Sequence, residues 1–215
     1  MENTVAWAYA DSNKGWYGGD ITHALSAWTS TSRDLTEEKR ARIPDLLKML
    51  AANKHTTPFE KSYLQFLVTC DTASHIHLLK HRVGVSVNAE SARYKELKDD
   101  KAYIPEDWPI EWQILLSKHI KDSQAIYHDA LAYLSHSGYD KKRAKESARF
   151  FLPYANQLTL DVAFNFNSFV HFQQLRNAPD AQKEIREIAQ KMLQLVIDTG
   201  DFTHSLEAFG LITAD

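Results

Sequence analysis

Residues 157–167 constrain the fold most strongly, because large apolar side chains alternate along them with side chains that are polar or, at Ala163, small. Side chains on a strand point to alternate faces, so a period of two predicts a strand with one buried and one polar face. A second alternating run covers residues 64–70. Alternation of this kind is typical of antiparallel sheets that are packed on one side. The two runs therefore predict an antiparallel sheet.

Helical periodicity accounts for much of the remaining sequence, and Thr4 to Ala10 read as a further short strand. We expect Asp20 and Asp107 to cap helices, Thr36 to start one, and Pro44 to kink or restart it. The apolar stripe of the longest helix is predicted to be core. The predicted helices are Asp20–Trp28, a segment after Thr36, Thr72–Lys80, Pro109–Ser135, Asp140–Phe151, one from Ser168, and one from Ile185 to Gly200. The fold class is α+β, a single mixed domain over residues 1–215 with helices flanking the antiparallel sheet.

Composition narrows the classes of protein to consider. The chain has 25 basic and 28 acidic residues, a net charge of −3, so we expect no nucleic-acid partner and only local anion sites. No apolar run approaches the length that spans a bilayer, so we expect no membrane segment. The single cysteine, Cys70, cannot form an internal disulfide, which favours a reducing, cytoplasmic location.

A basic stretch suggests where an anion binds. Lys80, His81 and Arg82 are consecutive and are followed by a loop that leads to Ser91 and Arg93. Hydroxyl, backbone N–H and guanidinium groups together can hold a phosphate. Taken alone, the stretch could equally be a solvated basic turn.

The stretch resembles the signature of the flavin-dependent thymidylate synthases, which is Arg-His-Arg, seven residues, then Ser, usually continuing to Arg-Tyr. Here Lys80-His81-Arg82 is followed by eight residues and then Ser91-Ala92-Arg93-Tyr94. Further segments also resemble that family, and the likeness extends over roughly residues 24–195. They are His55-Thr56-Thr57-Pro58-Phe59-Glu60, Arg149 before Leu152-Pro153, Asn165, Leu175-Arg176, and Ala181-Gln182 with Glu184-Ile185.

The resemblance implies an enzyme that methylates dUMP to dTMP, with FAD as cofactor and NADPH and methylenetetrahydrofolate as co-substrates. It also implies a homotetramer whose sites lie at subunit interfaces. Implied contacts to FAD are Ser32, Thr57, Glu60, Lys80, His81, Arg82, Asn165 and His171. His55 is implied on the folate side, and the implied contacts to dUMP are His77, Glu90, Ser91, Ala92, Arg93, Arg149 and Arg176.

Arg176 is the residue to which the resemblance gives the catalytic role. A guanidinium beside the pyrimidine edge would stabilise negative charge that spreads from N3 to the carbonyl oxygens while C5 becomes nucleophilic. An arginine stays protonated at neutral pH, so it acts through its charge and its N–H donors.

Departures from the family pattern leave alternatives open. Lys80 replaces the first arginine, the signature loop is one residue longer, His77 stands where a glutamine is usual, and Asp180 where a histidine is usual. The protein could therefore methylate another pyrimidine nucleotide such as UMP, or bind flavin or nucleotide without catalysis. A histidine-based metal site at His77 and His81 is a weaker alternative, because the glutamate of zinc-protease helices is replaced by Leu78. No resident metal is expected.

Overall fold

The computed structural model describes residues 1–8, 15–91, 93–97 and 99–213. Of the predicted first strand, Tyr9 and Ala10 lie outside the described residues. The strands are β1 Thr4–Trp7, β2 Trp16–Tyr17, β3 Tyr63–Asp71, β4 Val85–Ala89 and β5 Gln157–Asn165. The helices are α1 Asp20–Ala27, α2 Glu37–Ala41, α3 Ile43–Ala52, α4 Thr72–Leu78, α5 Ile110–His136, α6 Lys141–Ala148, α7 Phe166–Arg176, α8 Lys183–Ile197 and α9 Thr203–Ala208.

The strands form one sheet in the order β1-β3-β5-β4, and β2 pairs antiparallel with β3. The predicted alternation is observed, because every second residue of β3 is buried, from Leu64 to Cys70. The sheet and its flanking helices confirm a mixed α and β architecture. Strand β5 ends at Asn165, two residues earlier than predicted, because the Asn165 side chain accepts a hydrogen bond from the Ser168 backbone and caps α7.

Contacts along the chain define two compact units. The first consists of Met1–Thr4, Val68–Leu79 and Asn88–Leu160, and the second of Val5–Leu67, Lys80–Val87 and Asp161–Asp215. The first has a core in which α5 packs on α6. The second is rich in buried aromatic rings, which are Phe59, Phe66, Phe164, Phe166, Phe169, Phe172 and Phe202. The single domain over residues 1–215 stays a prediction.

The helix breaks near the N-terminus follow the predicted signals. The Thr36 side chain accepts a hydrogen bond from the Lys39 backbone and caps α2. Pro44 lies in the first turn of α3, where the missing N–H has no helical partner to lose. The prediction of a helix that restarts at Pro44 is confirmed.

Two predicted helix caps are wrong. Asp20 begins α1, but its carboxylate accepts hydrogen bonds from the backbone N–H groups of His204 and Ser205, both at 2.8 Å. It therefore caps α9, which is close in space and distant in sequence. Helix α5 starts after Pro109 with no side-chain cap, so Asp107 does not cap it.

The apolar stripe of α5 is only partly core, in contrast to the prediction. Ile120, Tyr127 and Leu131 are buried, whereas Trp112 and Leu115 are 59% and 54% exposed. Of the buried residues of α5, Tyr127 and Leu131 pack against Ala144 and Ala148 of α6. An outward apolar face remains on this helix.

Candidate functional site

The second unit contains a cavity of about 670 Å³, called the first cavity below. Predicted site residues from two distant segments line it, so the fold brings together residues that are more than 90 positions apart in sequence. These predicted residues are Lys80, His81, Arg82, His171 and Arg176.

The loop that carries the basic residues is fixed on the start of α7. Gly84 adopts φ +65°, and its carbonyl accepts a hydrogen bond from the Asn165 backbone at 2.9 Å. The Ser168 hydroxyl donates to the Val83 carbonyl at 2.7 Å. These bonds place the loop beside the helix that supplies His171 and Arg176.

Arg176 is oriented by His81. Its Nε donates a hydrogen bond to His81 Nε2 at 3.0 Å, so this histidine nitrogen carries no proton in that arrangement. The His81 ring packs edge-on against Phe172, with ring centroids 5.0 Å apart. Within the part of the chain that is described, the two terminal nitrogens of Arg176 have no hydrogen-bond partner. They remain able to donate to a ligand.

The first cavity is strongly cationic. Lys54, Lys80, Arg82 and Arg176 contribute side chains that stay protonated at neutral pH. None of the described lining residues is acidic. Such a wall favours anionic ligands, and arginine and lysine donors suit phosphate oxygens.

A second cavity, of about 510 Å³, lies within the first unit and is lined by Glu90, Ser91 and Arg149. Burial would raise the pKa of Glu90, but hydrogen bonds from Lys95 Nζ at 2.7 Å and from the Thr159 backbone at 2.9 Å lower the pKa below its usual value overall. Glu90 is therefore an ionised and firmly held part of the wall. Its geometry does not suit a free general base.

The remaining predicted residues lie outside the walls of both cavities. Arg93 forms an ion pair with Glu146. The Asn165 backbone donates a hydrogen bond to the Gly84 carbonyl of the basic loop. Ala92 is outside the described residues. The Ser32 carbonyl accepts a hydrogen bond from Lys39. The predicted residues in neither wall are Ser32, His55, Thr57, Glu60, His77, Arg93 and Asn165.

Several residues that line the cavities were not among the predicted site residues. Lys54, Thr56 and Phe209 line the first cavity, and His75 lines the second. Burial lowers the pKa of His75, so its ring is neutral at pH 7. Lys54 and Thr56 flank His55 in the family-like segment, and this adjacency is a signal that sequence reasoning could have used. Phe209 comes from a C-terminal segment that showed no pattern.

The described residues offer neither a metal-binding cluster nor a membrane-spanning helix. They contain no group of three or more His, Cys, Asp or Glu side chains placed to hold a metal ion. The histidine alternative thus has no third ligand of these types in the described part of the chain. Similarly, no described helix combines the length and apolar character needed to cross a bilayer.

Comparison with known proteins gives matches over most of the chain. The family profile described as thymidylate synthase complementing protein matches residues 6–199. The flavin-dependent thymidylate synthase of Pseudothermotoga lettingae is 28% identical over 182 residues, covering 83% of this chain and 80% of that protein. The Mycobacterium avium enzyme of the same name is 30% identical over 171 residues, covering 74% and 68%.

Among solved structures, the fold is similar to that of PolB, a UMP/dUMP methylase from Streptomyces cacaoi bound with 5-Br dUMP. The TM-score is 0.77 at 24% identity, and the match covers 98% of this chain and 96% of PolB. The same protein bound with 5-Br UMP gives a TM-score of 0.73 at 22% identity.

Proposed function

Because the chain belongs to the family of flavin-dependent thymidylate synthases, we propose that it is an FAD-dependent methyltransferase that converts dUMP to dTMP. The observation that carries this proposal is the convergence of Lys80, His81, Arg82, His171 and Arg176 on the cationic first cavity. NADPH and methylenetetrahydrofolate are the proposed co-substrates.

The donor set of the first cavity fits a flavin dinucleotide. Lys80 and Arg82 offer an ammonium and a guanidinium to its diphosphate, and His171 offers a ring nitrogen. FAD supplies hydride transfer when it is bound. We place Ser32, Thr57, Glu60 and Asn165 in the FAD site by family resemblance, with His55 on the folate side.

Arg176 is the proposed catalytic residue. His81 holds its Nε, which leaves the terminal nitrogens to meet the pyrimidine carbonyl oxygens. Fixed N–H donors aimed at an oxygen that gains negative charge stabilise the transition state without having to reorganise. His81 acts through Arg176 as a positioning residue in addition to its proposed flavin contact.

The nucleotide phosphate is assigned to the second cavity. Ser91 and Arg149 line it, and Arg93 lies on the same unit with its guanidinium paired to Glu146. A guanidinium and a hydroxyl can hold a phosphate by charge-assisted hydrogen bonds. The further proposed contacts to dUMP are His77, Glu90 and Ala92.

Arg149 and Arg176 line different cavities of one chain, so we propose that a second copy of the chain completes each site within a homotetramer. The outward face of α5 supports assembly, since Trp112 and Leu115, which lie three residues apart on one side of the helix, are each more than half exposed. Large contiguous apolar patches on a surface usually mark an interface. We further place the reaction in the cytoplasm, because the lone, buried Cys70 has no disulfide partner.

The proposal is tested with purified protein, FAD, NADPH, methylenetetrahydrofolate and dUMP under anaerobic conditions, by measuring dTMP. We expect a yellow protein with a flavin absorbance spectrum, and turnover that Arg176→Ala reduces by at least about a hundredfold. Arg40→Ala, which removes an exposed arginine of α2, is the matched control and should retain activity. Wild-type turnover in Arg176→Ala would refute the role given to Arg176.

UMP is the competing substrate, because PolB, which shares the fold, is described as a UMP/dUMP methylase. Equal concentrations of dUMP and UMP in one reaction decide between them, and we expect dTMP to dominate. A protein that binds FAD and dUMP tightly but forms neither product would instead be a binding homologue without catalysis.

A further inference from the structure

Lys54 has a backbone conformation that lysine rarely adopts. Helix α3 ends at Ala52, and Lys54 follows with φ +57°. Its N–H donates to the Ala51 carbonyl at 3.0 Å, and the His55 N–H donates to the Leu50 carbonyl at 2.9 Å. This pair of bonds closes a helix around a left-handed residue, which is usually glycine. Any residue with a Cβ is less stable than glycine at such a position.

Apart from these backbone bonds, no hydrogen bond or ion pair of the Lys54 side chain supports this conformation in the described residues. Within residues 1–8, 15–91, 93–97 and 99–213, the Lys54 ammonium makes no hydrogen bond or ion pair. Its side chain is exposed and lines the first cavity together with Lys80 and Arg82. Residues that are held in sparsely populated backbone conformations cluster at active sites and ligand sites.

Lys54 differs from the other cations of the first cavity because no anionic partner is assigned to it. Under the proposed function, Lys80 and Arg82 match the two charges of the flavin diphosphate, and Arg176 faces the pyrimidine. Lys54 is then a fourth fixed cation with no assigned anion, in a wall whose described residues include no acid. A surplus cation attracts the anionic group of a further ligand.

We propose that Lys54 binds an anionic group of a co-substrate, either a phosphate of the nicotinamide nucleotide or a glutamate carboxylate of the folate. This inference rests on the proposed function and extends it by one residue. Lys54 acts in binding and takes no part in the chemical step.

Three variants separate charge from backbone conformation. Lys54→Met removes the charge and keeps the Cβ, Lys54→Gly removes both, and Lys54→Arg keeps both. We expect Met and Gly to weaken co-substrate binding about tenfold, as for the loss of one charge-assisted hydrogen bond, and Arg to bind nearly as well as wild type. Lys54→Gly should also raise Tm, so weaker binding in that variant cannot result from unfolding.

The source of the anion is identified by titrating the FAD-loaded protein with matched ligand pairs, followed by calorimetry. If a phosphate is bound, the Met variant loses affinity for the nicotinamide nucleotides and not for the folates, and a loss for NADP⁺ alone identifies the 2′-phosphate. If a carboxylate is bound, it loses affinity for the folates and not for the nucleotides, and a larger loss for folate triglutamate than for folate monoglutamate identifies a distal glutamate. Unchanged affinity of Lys54→Met for all four ligands overturns the inference.

Equilibrium binding also keeps the two proposals apart. Lys54-dependent binding in a protein that makes no dTMP would contradict the methyltransferase proposal and uphold this inference. Normal dTMP formation, together with co-substrate binding that does not depend on Lys54, would uphold the methyltransferase proposal and contradict this inference.

Discussion

At the scale of single residues, Gly84 is a position in the basic loop where a side chain would not be tolerated. Its φ of +65° is unfavourable for other residues, and an added Cβ would overlap the Asn165 and Ser168 side chains. We predict that Gly84→Ala lowers the free energy of unfolding by about 2–4 kcal/mol, as for strain combined with overpacking. Urea unfolding measures this change, and FAD affinity should fall with it.

Gly138 provides the matched control, since it has φ +84° and nothing lies within 4 Å of an added Cβ. Gly138→Ala should cost only the conformational penalty, about 1 kcal/mol. If both variants lost the same free energy of unfolding, the overlap at Gly84 would have no energetic effect and the prediction would be wrong.

His23 makes stability depend on pH. It is fully buried between the Ser205 and Ser62 hydroxyls, at 2.8 and 2.7 Å, and burial lowers its pKa to about 3 from 6.5. Between these two pH values the unfolded chain binds the extra proton and the folded chain does not. The free energy of unfolding should therefore fall by about 1.4 kcal/mol per pH unit on acidification below pH 6.5.

His23→Gln, measured beside the wild type at pH 7 and pH 5, isolates this contribution. Burial also raises the pKa of Asp20, and this shift favours the folded protein on acidification, opposite to the effect of His23. Because Asp20 is present in both proteins, its contribution cancels in the comparison. We expect the variant to be less stable at pH 7 and to lose less stability on acidification. Parallel pH profiles would show that His23 titrates normally.

At the scale of elements, α9 depends on the carboxylate at the start of α1. Asp20 accepts from two backbone N–H groups of α9, and Phe209, just after that helix, lines the first cavity. We predict that Asp20→Ala lowers the free energy of unfolding by about 2–3 kcal/mol. It should also weaken FAD binding. Both are measured by urea unfolding and by flavin fluorescence.

Thr36→Ala removes an exposed cap of α2 and serves as the comparison. It should cost about 1 kcal/mol and leave FAD affinity unchanged. If Asp20→Ala also left FAD affinity unchanged, α9 would not shape the cavity.

Sequence patterns predict elements well where burial follows a simple period. The sequence pattern predicts strand β3 and helix α8 because one face of each is buried at regular intervals. The partner of a cap cannot be inferred in this way, since Asp20 is the first residue of α1 and caps α9, which is distant in sequence. Periodicity likewise shows that α5 has an apolar stripe, but it does not show which part of the stripe has a neighbour.

At the scale of the whole molecule, Arg149 and Arg176 supply different cavities. If one site uses Arg149 of one chain and Arg176 of another, two inactive variants should complement each other. We predict that co-expressed Arg149→Ala and Arg176→Ala recover about a quarter of wild-type activity by random assembly of symmetric oligomers. Activity is compared after both chains have been confirmed in one oligomer by native mass spectrometry.

Arg176→Ala mixed with His81→Ala is the control, because both changes damage the first cavity and every such cavity stays defective. No recovery is expected from that pair. Mixed oligomers of the first pair that remain inactive would show that the two arginines do not share a site across chains.

The basic residues of the first cavity could be predicted because they are adjacent in sequence or lie next to other residues of a family motif. Lys80, His81 and Arg82 are adjacent, and Arg176 follows Leu175 in a family-like segment. Lys54 and Phe209 reach the same cavity through helix ends, which have no local signature. Their positions depend on how the chain packs, and a single sequence does not reveal that.

His81 accepts a hydrogen bond from Arg176 Nε. Because of this bond, position 176 tolerates fewer substitutions than the other basic positions around the first cavity. An ammonium is a single centre without a fixed plane, so lysine can replace arginine where only charge is needed, as at position 80. At position 176 the side chain must be anchored at one nitrogen and present two others in the same plane. The cations proposed to hold a phosphate can therefore vary far more freely than Arg176, whose Nε is fixed by the His81 imidazole.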